Sequence, residues 1–186
     1  MHDEPVTEPQ AEARPTKCQL HGVLVRVFDV GVLLLGESGI GKSECALDLI
    51  TRGHQLIADD AVEIFSKGNK LVAKAPELTR HLLEIRGLGI INVSDIFGDE
   101  AVGVESEIEL CVELRKSIAP APLENVVSDY QVAGISMPRF VLPVSPGRDL
   151  ATLVETAVRL YRNGNDTVGS LIEKHAKLLR SVEQTS

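Results

Sequence analysis

The sequence predicts an α/β fold, a P-loop-containing mixed β-sheet domain with hairpins and C-terminal helices. Three observations carry that expectation. An apolar run at 31–35 (GVLLL) enters Gly36-Glu37-Ser38-Gly39-Ile40-Gly41-Lys42-Ser43, and a helix-like segment at 44–52 (ECALDLITR) follows. Strand, glycine-rich turn and helix start form the setting in which G-x-x-x-x-G-K-S cradles phosphate. Short apolar runs separated by turn residues flank this unit on both sides, which argues for hairpins and a mixed sheet. Two amphipathic stretches, 149–162 and 166–182, then close the chain as helices broken at Asn163-Gly164-Asn165.

In chain order, residues 1–16 are rich in Glu, Pro, Ala and Gln and lack apolar periodicity, so they read as a flexible leader to a domain spanning 17–186. Residues 18–28 (CQLHGVLVRVF) alternate as a strand, Asp29-Val30-Gly31 turns the chain, and 32–35 returns into the P-loop. Cys45, Leu47, Leu49 and Ile50 give the following helix an apolar side, and Gly53 stops it. Residues 55–58 form a short strand ending at Asp59-Asp60; 62–65 and 71–73 form two more around a turn at Lys67-Gly68-Asn69. Residues 107–114 (EIELCVEL) place Ile108, Leu110, Val112 and Leu114 on one face and mainly glutamates on the other, the pattern of a half-solvated strand. From 115 to 137 the expectation is loops and one short strand. Residues 139–144 read as a strand bounded by Pro138 and Pro143.

Composition narrows the class of function. With 27 acidic and 19 basic residues the net charge is −8, and the absence of a Lys/Arg block leaves no nucleic-acid footprint. No apolar run approaches a membrane span and the N-terminus has no apolar signal core, so no membrane partner and a cytoplasmic location are expected. Cys18, Cys45 and Cys111 lack zinc-type spacing; Cys45 and Cys111 read as buried structural thiols.

The P-loop assigns phosphate chemistry to named residues. Its glycines let backbone N–H groups curl around phosphate oxygens at a helix N-terminus. Lys42 reaches the outer phosphates and the Ser43 hydroxyl is placed to ligate Mg²⁺. Three further features bear on what reaction follows. Asp59-Asp60 ends the strand after the P-loop helix, where a carboxylate serves either as a turn starter or as a metal ligand or proton acceptor. Glu84-Ile85-Arg86-Gly87-Leu88-Gly89 sets a charged pair before two glycines, either a salt-bridged strand end or a place where backbone approaches a ligand. His21 lies among apolar neighbours, a core histidine or a catalytic one. No N-K-x-D base-reading pattern occurs, so nothing supports GTP specificity.

Four blocks at matching intervals then stand out: HGVLV (21–25), GESGIGKSECALDLITRGHQLIADD (36–60), LLEIRGLGIINVSDIFG (82–98) and VLPVSPGRDLATLVETA (141–157). Together they resemble the catalytic domain of HPr kinase/phosphorylase, over most of the chain. The resemblance implies ATP and Mg²⁺ as cofactors, a serine of the small carrier protein HPr as acceptor, and phosphorolytic reversal by inorganic phosphate with release of pyrophosphate. It implies that Asp60 is the base going forward and the acid in reverse, supported by His21, that Lys42 neutralises phosphate charge, and that Ser43 and Glu84 bind the metal. It places Asp59, Arg86, Gly87, Gly89 and Asn92 on the supporting catalytic surface. Pro146, Gly147 and Arg148 match the loop tied to dephosphorylation, and the family implies a hexamer.

Two departures qualify that picture. The separate N-terminal domain of longer members is replaced by the short leader, and an arginine expected in a D-R-L-G-like segment has no counterpart in 121–129 (APLENVVSD). Arg115, Arg139 and Arg148 are the candidates to replace it. A nucleotide-binding sensor with weak transfer chemistry, or a small-molecule kinase on the same scaffold, are the competing readings.

Overall fold

The computed structural model describes residues 17–116 and 127–164, with Glu173, Lys177 and Arg180 beyond them. The expected leader at 1–16, the segment 117–126 and most of the expected helix at 166–182 lie outside the described residues. The elements run β1 (Lys17–His21), β2 (Val23–Val27), β3 (Val30–Gly36), α1 (Lys42–Thr51), β4 (Gln55–Ala58), β5 (Ala61–Lys67), β6 (Lys70–Lys74), β7 (Leu82–Ile85) and β8 (Gly89–Asn92). They continue as α2 (Val93–Phe97), β9 (Glu105–Glu107), β10 (Leu110–Lys116), β11 (Val127–Val132), β12 (Ile135–Val144) and α3 (Leu150–Gly164).

The architecture has three layers. A six-stranded mixed sheet, ordered β11-β12-β10-β3-β2-β4, is the middle one. β10 runs parallel to both β3 and β12, and the other neighbours are antiparallel. On one face α1 and α3 bury Cys45, Ala46, Leu49, Ile50, Ala151, Val154 and Val158 against Val25, Val32, Leu34, Val112 and Leu114. On the other face the four-stranded sheet β1-β5-β6-β9 packs Val62, Ile64, Leu71 and Ala73 against Leu24, Leu33, Ile57 and Cys111. A sheet covered on both faces favours near-continuous apolar runs, which is why β2 and β3 read VLVRV and VGVLLLG. Leu33 and Leu34 are both fully buried, on opposite faces, and each such side chain contributes about 1.5–3 kcal/mol of hydrophobic stabilisation.

The same layering corrects several sequence expectations. The first strand is two: the chain leaves the outer sheet at His21 and enters the middle sheet at Val23. Gly22 makes the crossing, since a Cβ there would sit 2.8 Å from the Leu34 carbonyl oxygen and 3.1 Å from Leu35. The β2–β3 turn is Phe28-Asp29, both with positive φ, one residue earlier than Asp29-Val30-Gly31. Two left-handed residues match the twist of a two-residue hairpin. Residues 107–114 are not one half-solvated strand. The Ile108 N–H donates to Leu71 and the Glu109 N–H to Gly31, breaking the ladder there, so Ile108 packs in the outer layer while Leu110, Val112 and Leu114 face the helices. β10 is then buried on both sides, Cys111 included.

The strand expected at 139–144 is longer and runs through both prolines. Pro138 pairs only toward β11 and Pro143 only toward β10, so each missing N–H falls where the second neighbour is absent. Cys45 and Cys111 are buried as expected, and burial pushes both thiols up to about 12. Among the described residues, no helix is long and apolar enough to cross a membrane.

Candidate active site

The P-loop spans the end of β3 and the start of α1, and its residues divide by direction. Ser38, Gly39, Gly41, Lys42 and Ser43 line a cleft of about 350 Å³. Gly36 and Glu37 stand behind it: their carbonyl oxygens accept hydrogen bonds from Lys42 Nζ at 2.9 and 3.1 Å. Ile40 is buried and anchors the loop in the core. Gly41, at φ 107°, turns the chain into α1, and its carbonyl accepts the first helical bond from Cys45. Lys42 is only 6% exposed. Burial lowers its pKa, and the nearby Asp59 and Asp60 charges oppose that shift.

The remaining wall comes from the chain after β4 and from the β7–β8 hairpin. His21, Asp59, Asp60, Glu84, Ile85, Arg86, Gly87 and Gly89 all reach the cleft. The two aspartates do different things. Asp59 is buried, accepts from the Ser43 hydroxyl at 3.0 Å through Oδ1, and accepts from the Glu84 N–H at 3.0 Å through Oδ2. Burial raises its pKa, and these hydrogen bonds hold the rise in check. Asp59 thereby ties the P-loop helix to the hairpin strand carrying Glu84.

Asp60 is exposed at the mouth of the cleft. The Ala61 N–H donates to the Asp59 carbonyl at 2.8 Å, closing a γ-turn around Asp60, whose φ is 65°. The Gly22 N–H donates to the Asp60 carbonyl, and His21 Nδ1 lies 2.9 Å from Asp60 Oδ1. A strained backbone conformation fixed from both sides aims this carboxylate.

Four sequence-selected residues lie elsewhere. Asn92 caps α2, its Oδ1 accepting from the Ser94 N–H at 3.1 Å and the Ser94 hydroxyl at 2.9 Å. Pro146, Gly147 and Arg148 form the exposed loop before α3 and are not among the residues lining the cleft. Glu44, which sequence reasoning treated only as a helix residue, does line it. Its signal was adjacency to Ser43. Of the three arginines named as candidates, Arg115 pairs with Glu113 at 2.6 Å, Arg139 with Glu113 at 3.1 Å, and Arg148 is exposed outside the cleft.

Hard oxygen donors gather at one wall of this cleft. Ser43 Oγ and the Asp59 carboxylate touch, and Glu84 follows on β7. No group of three His, Cys, Asp or Glu side chains among the described residues forms a protein cage for a metal. That donor set fits Mg²⁺, which takes one or two protein oxygens and completes its shell with phosphate and water.

The family model of the HPr Serine kinase C-terminal domain matches residues 13–177. The chain belongs to that family. It is 43% identical over 182 residues to an HPr kinase/phosphorylase of Chromobacterium violaceum, covering 93% of this chain and 57% of that protein. It is 44% identical over 170 residues to an HPr kinase/phosphorylase of an Exiguobacterium species, covering 89% and 55%. The chain thus spans little more than half the length of these curated relatives. Among solved structures, the Hpr(Ser) kinase/phosphatase of Coxiella burnetii superposes with a TM-score of 0.72 at 36% identity, covering 78% of this chain and 90% of that one. The P-loop-containing mixed-sheet fold expected from the sequence is therefore shown, by the family match, the structural neighbour and the sheet itself.

Proposed function

We propose that this HPr-kinase-family domain is an ATP- and Mg²⁺-dependent protein serine kinase acting on HPr or a similar small carrier protein in the cytoplasm. The observation that carries the reading is the fixed Asp60 carboxylate, set on a γ-turn and paired with His21 at the mouth of a cleft floored by Lys42 and Ser43. Phosphoryl transfer needs little else from a protein: cations for the spreading charge and an acceptor for the hydroxyl proton. In this reading Asp60 takes the seryl proton as the seryl oxygen bonds to the γ-phosphorus and ADP leaves. His21 holds the Asp60 carboxylate in its orientation. Lys42 moves from the carbonyls of Gly36 and Glu37 onto the phosphates. Ser43, Asp59 and Glu84 would hold Mg²⁺, which supplies charge neutralisation on the phosphate oxygens.

The names of the relatives support the reverse activity too. Asp60 returns its proton to the serine oxygen while inorganic phosphate takes the phosphoryl group as pyrophosphate, since the forward base is the reverse acid. A protein acceptor also fits the surface: Leu88 and Ile90, on the hairpin bordering the cleft, are 76% and 68% exposed, apolar area that a macromolecule covers and a metabolite does not. A hexamer is the assembly the family resemblance implies.

The test is incubation with labelled ATP, Mg²⁺ and either HPr or HPr whose acceptor serine is replaced by alanine. Label appears on the first only. Absence of phosphoserine on intact HPr, with nucleotide bound, would overturn the reading.

A further inference from the structure

Two cations line the cleft, and the structure treats them differently. Lys42 is buried and held by two carbonyls at the base of the loop. Arg86 is exposed and makes no ion pair or hydrogen bond among the described residues. Its guanidinium nevertheless lies against the loop: a Cβ built on Gly39 would stand 2.8 Å from Nη2 and 3.8 Å from Cζ. Gly39, at φ 74°, presents bare backbone to the guanidinium. Other arginines in the fold, Arg52, Arg115 and Arg139, are each matched by a carboxylate.

The base of Arg86 is firm although its tip is free. Ile85, immediately before it, is buried in the core, and the Leu88 N–H donates to the Ile85 carbonyl to close the hairpin turn. Strand β7 is pinned a residue earlier by the Glu84 N–H on Asp59, which also holds Ser43. A planar fork on a fixed stem, with no acid of its own, is suited to bidentate grip on phosphate oxygens.

We propose that Arg86 is the second phosphate-clamping cation of this site. It grips the transferring phosphoryl group from the Gly39 side of the loop, away from the Lys42 anchor at Gly36 and Glu37. Going forward it contacts the γ-phosphoryl oxygens of the nucleotide, and in reverse the oxygens of inorganic phosphate and pyrophosphate. This rests on the phosphoryl-transfer reading above and extends it to a named residue. The charge on the equatorial oxygens in the transition state is what a guanidinium stabilises more than it stabilises bound nucleotide.

The test uses Arg86→Ala and Arg86→Lys in the full chain, with three readouts: Mg²⁺–ADP affinity, retention of ADP with aluminium fluoride in the absence of any acceptor, and turnover on HPr. In Arg86→Ala, ADP affinity stays within threefold, retention with aluminium fluoride is lost, and turnover falls about 10³-fold, the scale of an arginine finger. Arg86→Lys keeps charge without the fork and falls between the two. Added guanidinium ion restores part of the Arg86→Ala turnover and none of that of Lys42→Ala. Arg86→Ala within threefold of wild type in retention and turnover overturns the proposal, as does loss of ADP affinity in parallel with turnover. If the wild-type chain phosphorylates no HPr, the functional reading fails, and retention with aluminium fluoride still decides Arg86 by itself.

Discussion

The two ends of α1 make an instructive pair. At its N-terminal end, Lys42 rests on carbonyl oxygens, and Glu84 and Arg86 have no side-chain partner among the described residues. At its C-terminal end the charges that face α3 are matched. Arg52 reaches both oxygens of Asp149 at 2.9 and 2.7 Å and also Thr152 at 2.8 Å, and His54 bonds Glu155 at 2.8 Å. The His54 ring stands edge-on to Phe28, over which Arg159 lies. One helix thus carries an unsaturated cluster at one end and a saturated one at the other. Saturated charges hold α1 to α3; unsaturated ones are left for a ligand. The blocks that mark the family serve both ends, since Arg52-Gly53-His54 and Asp149 are architectural while Asp59-Asp60 and Glu84 border the cleft.

Breaking the unsaturated end has the largest expected effect, and it falls on rate, not on folding. Lys42→Ala and Asp60→Ala each lower phosphotransfer by about 10²–10⁴-fold. They part company in binding: nucleotide affinity falls with Lys42→Ala and holds with Asp60→Ala, read by calorimetric titration with ADP. Thermal midpoints of both stay near wild type, because neither side chain supports the core. A midpoint drop comparable to that of a core truncation would erase the proposed division between the two ends.

Asp59 sits on the boundary, because it is buried and hydrogen-bonded yet borders the cleft. Asp59→Asn is a clean probe. The amide oxygen can accept the Glu84 N–H while the amide nitrogen donates to the Ser43 hydroxyl, which rotates to become an acceptor. Burial raises the Asp59 pKa, so its folded value lies above its unfolded one, and its contribution to stability is present below the ordinary value of 3.8 and lost as pH rises through the raised one. The asparagine variant is therefore at least as stable as wild type at pH 7, and that advantage shrinks on acidification toward pH 4. Its Mg²⁺-dependent turnover falls on the order of 10²-fold. An Asp59→Asn protein markedly less stable than wild type at pH 7 counts against this account.

How much of this could be read in the chain depended on range. The strand and the P-loop that follows it are contiguous, so their geometry followed from local spacing, and Asp59-Asp60 could be placed at the end of the next strand. The paired end of α1 joins residues 97 to 103 positions apart, which topology alone brings together. Asp60 could be named, but its γ-turn could not, because left-handed backbone at an aspartate leaves no mark in a residue string. The break at Ile108-Glu109 was hidden by an alternation that continues through it. The long β12 was hidden by prolines that sit where the sheet does not ask for their N–H. Arg86 read as an open choice between ion pair and ligand contact; among the described residues it makes no ion pair, and its guanidinium lies beside Gly39, a proximity between distant residues that the sequence does not show.

Breaking the saturated end costs stability and little rate. Burial pushes the Glu155 carboxyl up, but His54 and Arg52 outweigh it and hold the pKa below its ordinary value. Glu155→Ala strands His54, which is 6% exposed, without its partner. The expected loss is about 1–2 kcal/mol in urea unfolding, with Mg²⁺–ADP affinity unchanged. Loss of nucleotide affinity without loss of stability would reverse the roles assigned to the two ends.

The smallest effect belongs to Asp149, the exposed partner of Arg52 and the cap of α3. The Thr152 N–H, Arg52 and the Thr152 hydroxyl together hold its carboxyl at about 2, against an ordinary 3.8. A depressed pKa gives stability that is full above the unfolded value and disappears as pH falls through the folded one. Asp149→Asn keeps the Thr152 N–H bond of the cap, since asparagine oxygen accepts it equally well, and removes the charge facing Arg52 together with the second oxygen that accepts from Arg52 and the Thr152 hydroxyl. The variant therefore melts slightly below wild type at pH 6. The gap narrows as pH drops from 3.8 toward 2, and it narrows at pH 6 when salt is raised, because both side chains are partly in solvent. Protonation of other carboxylates lowers both proteins together and cancels in the difference. A gap that persists undiminished at pH 3 and in high salt would place the role of Asp149 in the hydrogen bonds of the cap and leave Arg52 without its assigned part in joining α1 to α3.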